Sequence, residues 1–326
     1  MQYNNIMIMT KPRKGKSRSL DPEFITALKA GILTPFWERV KNDKTLCLEI
    51  RENYINIYYR GCSISKIAQN KDTKSYTYSF DEEYFKKETI KLPNENILEI
   101  DSAKAWINYF PTLKNIIDMS SKGGEREFQQ LVVRENNDRN TGNSTDYYIC
   151  DVEYTSARKN GRFDLIALKW LSKGAERKIN KELKLAFIEK KYGDGAIGGE
   201  AGILKHIRDF TKFITKDADY LHEEMKEIFN LKLNLGLIKG CKKKIESIQS
   251  IKKYKPEVIL LLANHDPEKT GLKKILLELI DSDDYKEFCK IAELKFAVAS
   301  FMGYGLYEQG IYDLPTFLNR FEKFLR

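Results

Sequence analysis

The chain has 326 residues, of which 42% are hydrophobic, so it can fill the core of one large domain or of two ordinary ones. Its apolar runs fall well short of the ~20 residues of a membrane span, and no signal peptide is recognisable, which predicts a cytoplasmic protein without membrane contact. The net charge of +9 favours an anionic partner such as nucleic acid. The cysteines are scattered and form no CxxC pair, which argues against structural zinc and disulfides.

The first hundred residues predict a helix followed by a small antiparallel β-meander. Asp21 and Pro22 are typical of a helix start, and Gly31 and Pro35 break or bend that helix. Between residues 45 and 80, apolar and polar side chains alternate with the period of β-strands. We therefore divide the chain into a basic flexible arm, an N-terminal helix-plus-meander domain and a C-terminal domain: residues 1–20, 21–100 and 101–326.

The second domain opens with two helices, which a glycine pair at residues 123 and 124 separates. Three strands follow, then a long helix, a buried strand, a further helix and a last strand. This order builds a central mixed sheet flanked by helices, an α/β (α+β) architecture. The predicted strands lie at residues 147–154, 162–170, 183–192, 257–263 and 295–301, and the long helix at 199–228.

Charged residues occur within the second and third of these strands. Asp164 lies in the apolar run RFDLIAL, and Glu189 and Lys191 close the run in LAFIEKKY. Because side chains alternate along a strand, Glu189 and Lys191 share a face, and Asp164 can face them from the neighbouring strand. Two carboxylates suit a hard divalent cation, and an ammonium can steady a phosphate or an attacking water. Glu-x-Lys is common in a chain with 32% charged residues, so the prediction depends on the strand context.

This order of elements, with acids in these places, resembles the PD-(D/E)XK phosphodiesterase superfamily, which has the restriction-endonuclease-like fold. The resemblance covers residues 119–265 and leaves the first hundred residues unexplained. It makes Asp164 the second-motif acid and Glu189 and Lys191 the third-motif acid and lysine, with Phe163 where the family often has proline. It implies Mg²⁺, with Mn²⁺ as a substitute, bound by Asp164 and Glu189. The implied activity is hydrolysis of nucleic acid, with DNA expected as the substrate.

The resemblance also implies a glutamate on the first core helix, where Glu125 and Glu127 compete. Glu125 is favoured because Phe128 and Val132 follow it at helical spacing, whereas Glu127 has only Leu131. The alternative is that both are first-turn acids that complement the helix dipole. The predicted catalytic set is therefore Glu125, Asp164, Glu189 and Lys191.

Several alternatives stay open at this point. His206 on the long helix is either a phosphate contact or a structural residue. The segment GDGAIG at residues 193–198 matches the GxGxxG pattern of dinucleotide-binding proteins, although the strand before it ends in charged residues and follows two closely connected strands. The acids and lysine could also form a salt-bridged cluster in a non-catalytic nucleic-acid-binding or scaffold protein that has kept the fold.

Partners follow from what a nuclease of this kind would need. The sequence contains no GxxxxGK[ST] motif, so movement along DNA would require an ATPase or helicase partner. A homodimer is expected, since double-strand cleavage commonly needs two active sites. The resemblance suggests restriction, phage defence or repair as the setting, and leaves open whether the substrate is DNA or RNA and whether it is cut internally or from an end.

Overall fold

The computed structural model describes residues 18–70, 72–80, 92–120, 124–137, 145–155, 161–172, 183–238, 247–266, 269–299 and 304–323. These residues form a mixed α/β structure with a five-stranded antiparallel sheet, a six-stranded mixed sheet and packed helices. The basic arm up to residue 17 lies outside the described residues. Within them, no helix is both long and apolar enough to cross a membrane. The described cysteines are all free thiols.

The N-terminal part contains the predicted helix and meander. The helix breaks near Gly31 into two, and the strands pair in sequential order, each antiparallel to the next. Strands β3 and β5 were not predicted individually, and β5 adds an edge strand to the meander beyond residue 80. The elements are α1 (Pro22–Ala30), α2 (Thr34–Asn42), β1 (Leu46–Ile50), β2 (Tyr54–Tyr59), β3 (Cys62–Gln69), β4 (Tyr76–Ser79) and β5 (Asn96–Ile97).

The next helix, α3 (Ile100–Met119), belongs to the N-terminal core although the sequence analysis assigns it to the second domain. Its buried residues Trp106, Phe110 and Leu113 join the hydrophobic cluster of the five-stranded sheet. The Trp106 ring stacks on Tyr78 with centroids 3.6 Å apart. The first core therefore extends past the boundary predicted at residue 100.

The second sheet has the strand order β11-β10-β9-β8-β7-β6. Strand β8 is antiparallel to β7 and parallel to β9, as the predicted mixed sheet requires. Helix α7, strand β11 and helix α8 were not predicted from the sequence. The elements are α4 (Gly124–Asn137), β6 (Tyr147–Thr155), β7 (Arg162–Lys169), β8 (Leu183–Tyr192), α5 (Ile203–Asn234), β9 (Ile251–Ala263), α6 (Leu272–Asp281), α7 (Asp283–Ile291), β10 (Glu293–Val298), β11 (Ile311–Tyr312) and α8 (Leu314–Phe321).

Helices cover both faces of this sheet. Helices α5 to α8 pack on one face, where Phe163 and Phe187 from the sheet meet Phe210 and Phe213 of α5. Helix α4 packs on the other face through Phe128 and its neighbours. Apolar cover on both faces explains why β8 is buried along almost its whole length, including its charged end.

The two halves of the molecule are joined by buried ion pairs. Lys232 of α5 donates to the Glu49 carboxylate of β1 at 3.0 Å and to the Cys150 carbonyl at 2.8 Å. Arg51 donates to Asp151 of β6 at 2.6 Å. The pKa of Glu49 is raised by burial even though the Lys232 charge opposes that effect. The N-terminal sheet is thus held against the second sheet by charges that water cannot reach.

Candidate active site

The register between β7 and β8 brings the predicted acids to the same end of the two strands. The paired residues end at Leu165 and Ile188, and Asp164 and Glu189 are the next residues along the two strands. Glu189 and Lys191 follow Phe187 onto the face that α5 covers, while Lys190 points to the α4 face with Ile188. The candidate site is therefore the end of β8 where both helical layers meet the sheet.

Glu189, Lys191 and His206 form a cluster on the α5 side, in which the two β8 residues are buried and the His206 side chain is 26% exposed. The Lys191 ammonium donates to Glu189 Oε1 at 3.1 Å, and His206 Nδ1 lies 2.6 Å from the same oxygen. Lys191 Nζ and His206 Nδ1 are 3.2 Å apart. Glu189 is only 5% exposed and Lys191 1%. The sequence leaves the role of His206 open, and the structure brings it into direct contact with both β8 residues.

The Glu189 carboxyl is held in its ionised form. Burial, the largest effect, raises its pKa, but the hydrogen bond from His206 and the positive charge of Lys191 together outweigh burial, so the pKa is lowered from its ordinary value. A carboxylate that stays charged inside a protein is a strong ligand for any cation that can reach it.

Asp164 lies against the backbone of β8. Its Oδ2 accepts a hydrogen bond from the Lys190 N–H at 2.8 Å, and its Oδ1 lies 3.9 Å from the Lys190 ammonium. It shares no hydrogen bond with Glu189. Burial, followed by the negative charge of Glu189, raises the pKa of the Asp164 carboxyl to about 7, although Lys190 opposes the shift. Without a further cation, this carboxyl holds its proton until near neutral pH.

The two glutamates that compete for the helical position have different surroundings in the structure. Glu125 Oε1 lies 3.6 Å from the Lys190 ammonium, and the Glu125 side chain is 57% exposed at the edge of the site. Glu127 instead forms an ion pair with Arg60 of the β2–β3 turn at 2.6 Å. Glu125 therefore faces the candidate site, and its catalytic role stays a prediction.

The contacts of Gln129 and of the Lys190 side chain were not predicted from the sequence. The Lys190 ammonium donates to Gln129 Oε1 at 2.8 Å, and Gln129 Nε2 donates to the Asp164 carbonyl oxygen at 3.0 Å. Gln129 thus ties α4 to both strands that carry the acids. The signal in the sequence was Lys190 itself, because a charged residue follows the apolar Ile188 on the same face of β8.

The GDGAIG segment forms a loop that is anchored by its acid. Asp194 Oδ1 lies 3.0 Å from His265 Nδ1, and His265 Nε2 lies 2.9 Å from the Lys191 carbonyl oxygen. Strands β8 and β9 are parallel and are connected by α5, so the strand–helix–strand order that a dinucleotide fingerprint needs is present. However, α5 begins only at Ile203, after two short 3-10 turns, so the helix does not directly follow the glycine turn as it does in a dinucleotide fingerprint.

The side chains present fit a hard divalent cation. Asp164 and Glu189 supply carboxylate oxygens, and burial together with the negative charge of Glu189 raises the pKa of Asp164 to about 7, so a cation bound there would relieve that repulsion. No three His, Cys, Asp or Glu side chains in the described part of the chain converge as a complete metal cage. Mg²⁺ does not need one, because it commonly binds through one or two carboxylates and keeps several waters.

Comparisons of the chain with protein-family models, with curated proteins and with solved structures found no match.

Proposed function

We propose that this chain is a metal-dependent nuclease with a restriction-endonuclease-like core that hydrolyses phosphodiester bonds of nucleic acid, with DNA as the expected substrate. The observation that carries the proposal is the cluster of buried Glu189 and Lys191 with His206 at the strand end that also holds Asp164, whose carboxyl has a pKa of about 7. Charged groups of both signs buried in one place are costly for the fold, and perturbed carboxyls of this kind are typical of functional sites.

The architecture supports the same proposal. A mixed sheet with antiparallel β6, β7 and β8, followed by parallel β9 and with helices on both faces, is what the PD-(D/E)XK resemblance implies. Asp164 and Glu189 lie on β7 and β8, the two strands that would carry the motif acids under this resemblance. The fold alone does not define an activity, so the proposal of hydrolysis rests on the side chains of the candidate site.

Asp164, Glu189 and the Lys190 carbonyl would hold Mg²⁺, with Mn²⁺ as a substitute. When bound there, the cation would polarise the phosphate and lower the pKa of a bound water. The Lys191 ammonium, buried beside Glu189, would orient that water or offset the charge that develops on the phosphate. His206 keeps Glu189 ionised and in place, and Gln129 fixes the Asp164 backbone.

The test is a cleavage assay on plasmid and single-stranded substrates in Mg²⁺, Mn²⁺ or chelator. We expect the wild type to cleave with either metal and to lose activity in chelator. Glu189→Ala and Lys191→Ala should lower the rate by about a hundredfold or more. Glu293→Ala and Lys295→Ala are matched controls, because they alter a second Glu-x-Lys triplet, on β10, and should keep full activity.

Two outcomes would contradict the proposal. Equal cleavage rates for the wild type and both site variants would rule out the proposed roles of Glu189 and Lys191. Binding without cleavage under every condition would instead support the non-catalytic nucleic-acid-binding or scaffold alternative. The same proposal includes a role in restriction, phage defence or repair, a homodimer and an ATPase or helicase partner, all of which follow from the resemblance. It also includes the cytoplasmic location that the sequence predicts.

A further inference from the structure

Strand β6 has an unusual backbone at the residue opposite Asp164. Val152 pairs with Leu165 and Tyr154 with Phe163, so Glu153 stands opposite Asp164, yet these two residues do not pair in the ladder. Glu153 has a φ of 52°, in the left-handed region that residues other than glycine rarely adopt. Strained backbone of this kind persists where the surroundings enforce it and is concentrated at functional sites.

The Glu153 carboxylate accepts a hydrogen bond from the guanidinium of Arg162. The Arg162 NH2 to Glu153 Oε2 distance is 2.7 Å, and the Arg162 side chain is 75% exposed. A guanidinium has five N–H donors in a planar fork. Within the residues that the structure describes, Glu153 is the partner of this guanidinium, and most of its donors therefore face solvent.

Arg162 also lies close to the candidate active site. It precedes Asp164 by two residues, roughly 7 Å along the strand. Its pKa is raised first by Glu153, while burial opposes the rise and the negative charges of Asp164 and Glu189 add to it. An exposed guanidinium at the mouth of an acidic site can attract the phosphate backbone that the site carboxylates alone would repel.

We propose that Arg162 is a substrate-binding residue that contacts a backbone phosphate next to the cleaved bond, and that Glu153 holds its guanidinium in place until the phosphate arrives. This inference rests on the proposed nuclease function. Arginine matches a phosphate with two parallel hydrogen bonds, which are stronger than a single exposed ion pair. An exposed pair such as Arg162–Glu153 contributes little to stability and is easily exchanged for a phosphate.

The test compares steady-state cleavage by the wild type, Arg162→Ala and Arg162→Lys across a range of salt concentrations. We expect Arg162→Ala to raise KM roughly tenfold, with kcat changed by less than about threefold, because one charged hydrogen-bond partner of the substrate is lost. The slope of log(kcat/KM) against log[salt] should become shallower by about one for a lost phosphate contact. Arg162→Lys should recover the salt slope and part of KM.

Arg320→Ala is the matched control, since it removes an exposed arginine of α8 at the other edge of the sheet. It should behave as the wild type. The inference is overturned if the wild type cleaves and Arg162→Ala has the KM and salt slope of Arg320→Ala. If the wild type neither binds nor cleaves nucleic acid, the proposed function itself has failed.

Discussion

At the scale of single residues, the chain keeps an acid in surroundings that favour its neutral form. The Asp164 carboxyl has a pKa of about 7 against an ordinary value of 3.8. Between these values the folded state binds more protons than the unfolded state, so the stabilisation is full below about pH 4 and is lost as the pH rises through about 7. The wild type therefore loses some stability at neutral pH in the absence of a cation.

Asp164→Asn should remove this loss, because the amide stays neutral at every pH. In metal-free buffer at pH 8 we expect its Tm to exceed that of the wild type by about 4 °C, equivalent to roughly 2 kcal/mol. At pH 4.5 the two Tm values should nearly coincide. Mg²⁺ should raise the Tm of the wild type at pH 8 and leave that of the variant unchanged. Calorimetry at the two pH values measures both Tm values. A lower Tm for the variant than for the wild type at pH 8 would contradict this expectation.

At the scale of elements, β7 and β8 position the site, and α4 fixes them through one buried amide. Gln129 is hydrogen-bonded to the Lys190 ammonium and to the Asp164 carbonyl oxygen. It is 2% exposed, so water cannot replace either bond. The geometry of the two acid-bearing strands therefore depends on a helix residue whose hydrogen bonds go to the Lys190 side chain and the Asp164 backbone.

Gln129→Met should cost about 1–3 kcal/mol of unfolding free energy, because it leaves a buried ammonium and a buried carbonyl oxygen without their partner. Activity should fall as well, since the Asp164 backbone loses its tether. Glu135→Ala on the same helix is the control and should stay within about 0.5 kcal/mol of the wild type. Urea unfolding measures both values, and equal stability of the two variants would show that Gln129 is not a tether.

The elements and the polar contacts between them differ in how far the sequence predicts them. Strands β6, β7 and β8 and helix α5 follow from periodicity, and alternation alone predicts that Glu189 and Lys191 share a face. The Gln129–Lys190 bond joins residues distant in sequence, so no local pattern reports it. Helix α3 has an apolar face that either core could bury, and its packing is decided by the N-terminal sheet. The left-handed backbone at Glu153 also has no sequence signal, because glutamate rarely adopts it.

At the scale of the whole molecule, helix α5 connects the candidate site to the N-terminal core. Its 32 residues span about 48 Å, and it carries both His206 in the site and Lys232 in the interface. Just past its end, the Leu235 carbonyl accepts a hydrogen bond from Trp37 of α2 at 2.7 Å. The N-terminal sheet and the half that carries the candidate site should therefore unfold together.

Lys232→Met should lower the free energy of unfolding by about 3–5 kcal/mol, because it leaves the buried Glu49 carboxylate without its charge partner. The double variant Glu49→Leu with Lys232→Met should be closer to the wild type, since neither charge is then buried alone. A double-mutant cycle in urea measures the coupling. Additive effects, or two separate transitions in the wild type, would contradict a single cooperative unit.

The most direct test of the account is to locate a divalent cation by anomalous diffraction from crystals soaked in Mn²⁺. We predict one peak within about 2.0–2.4 Å of carboxylate oxygens from both Asp164 and Glu189, and its disappearance in crystals of Glu189→Gln. A peak held by other residues, or no peak under conditions in which the soaked protein cleaves nucleic acid, would contradict the account.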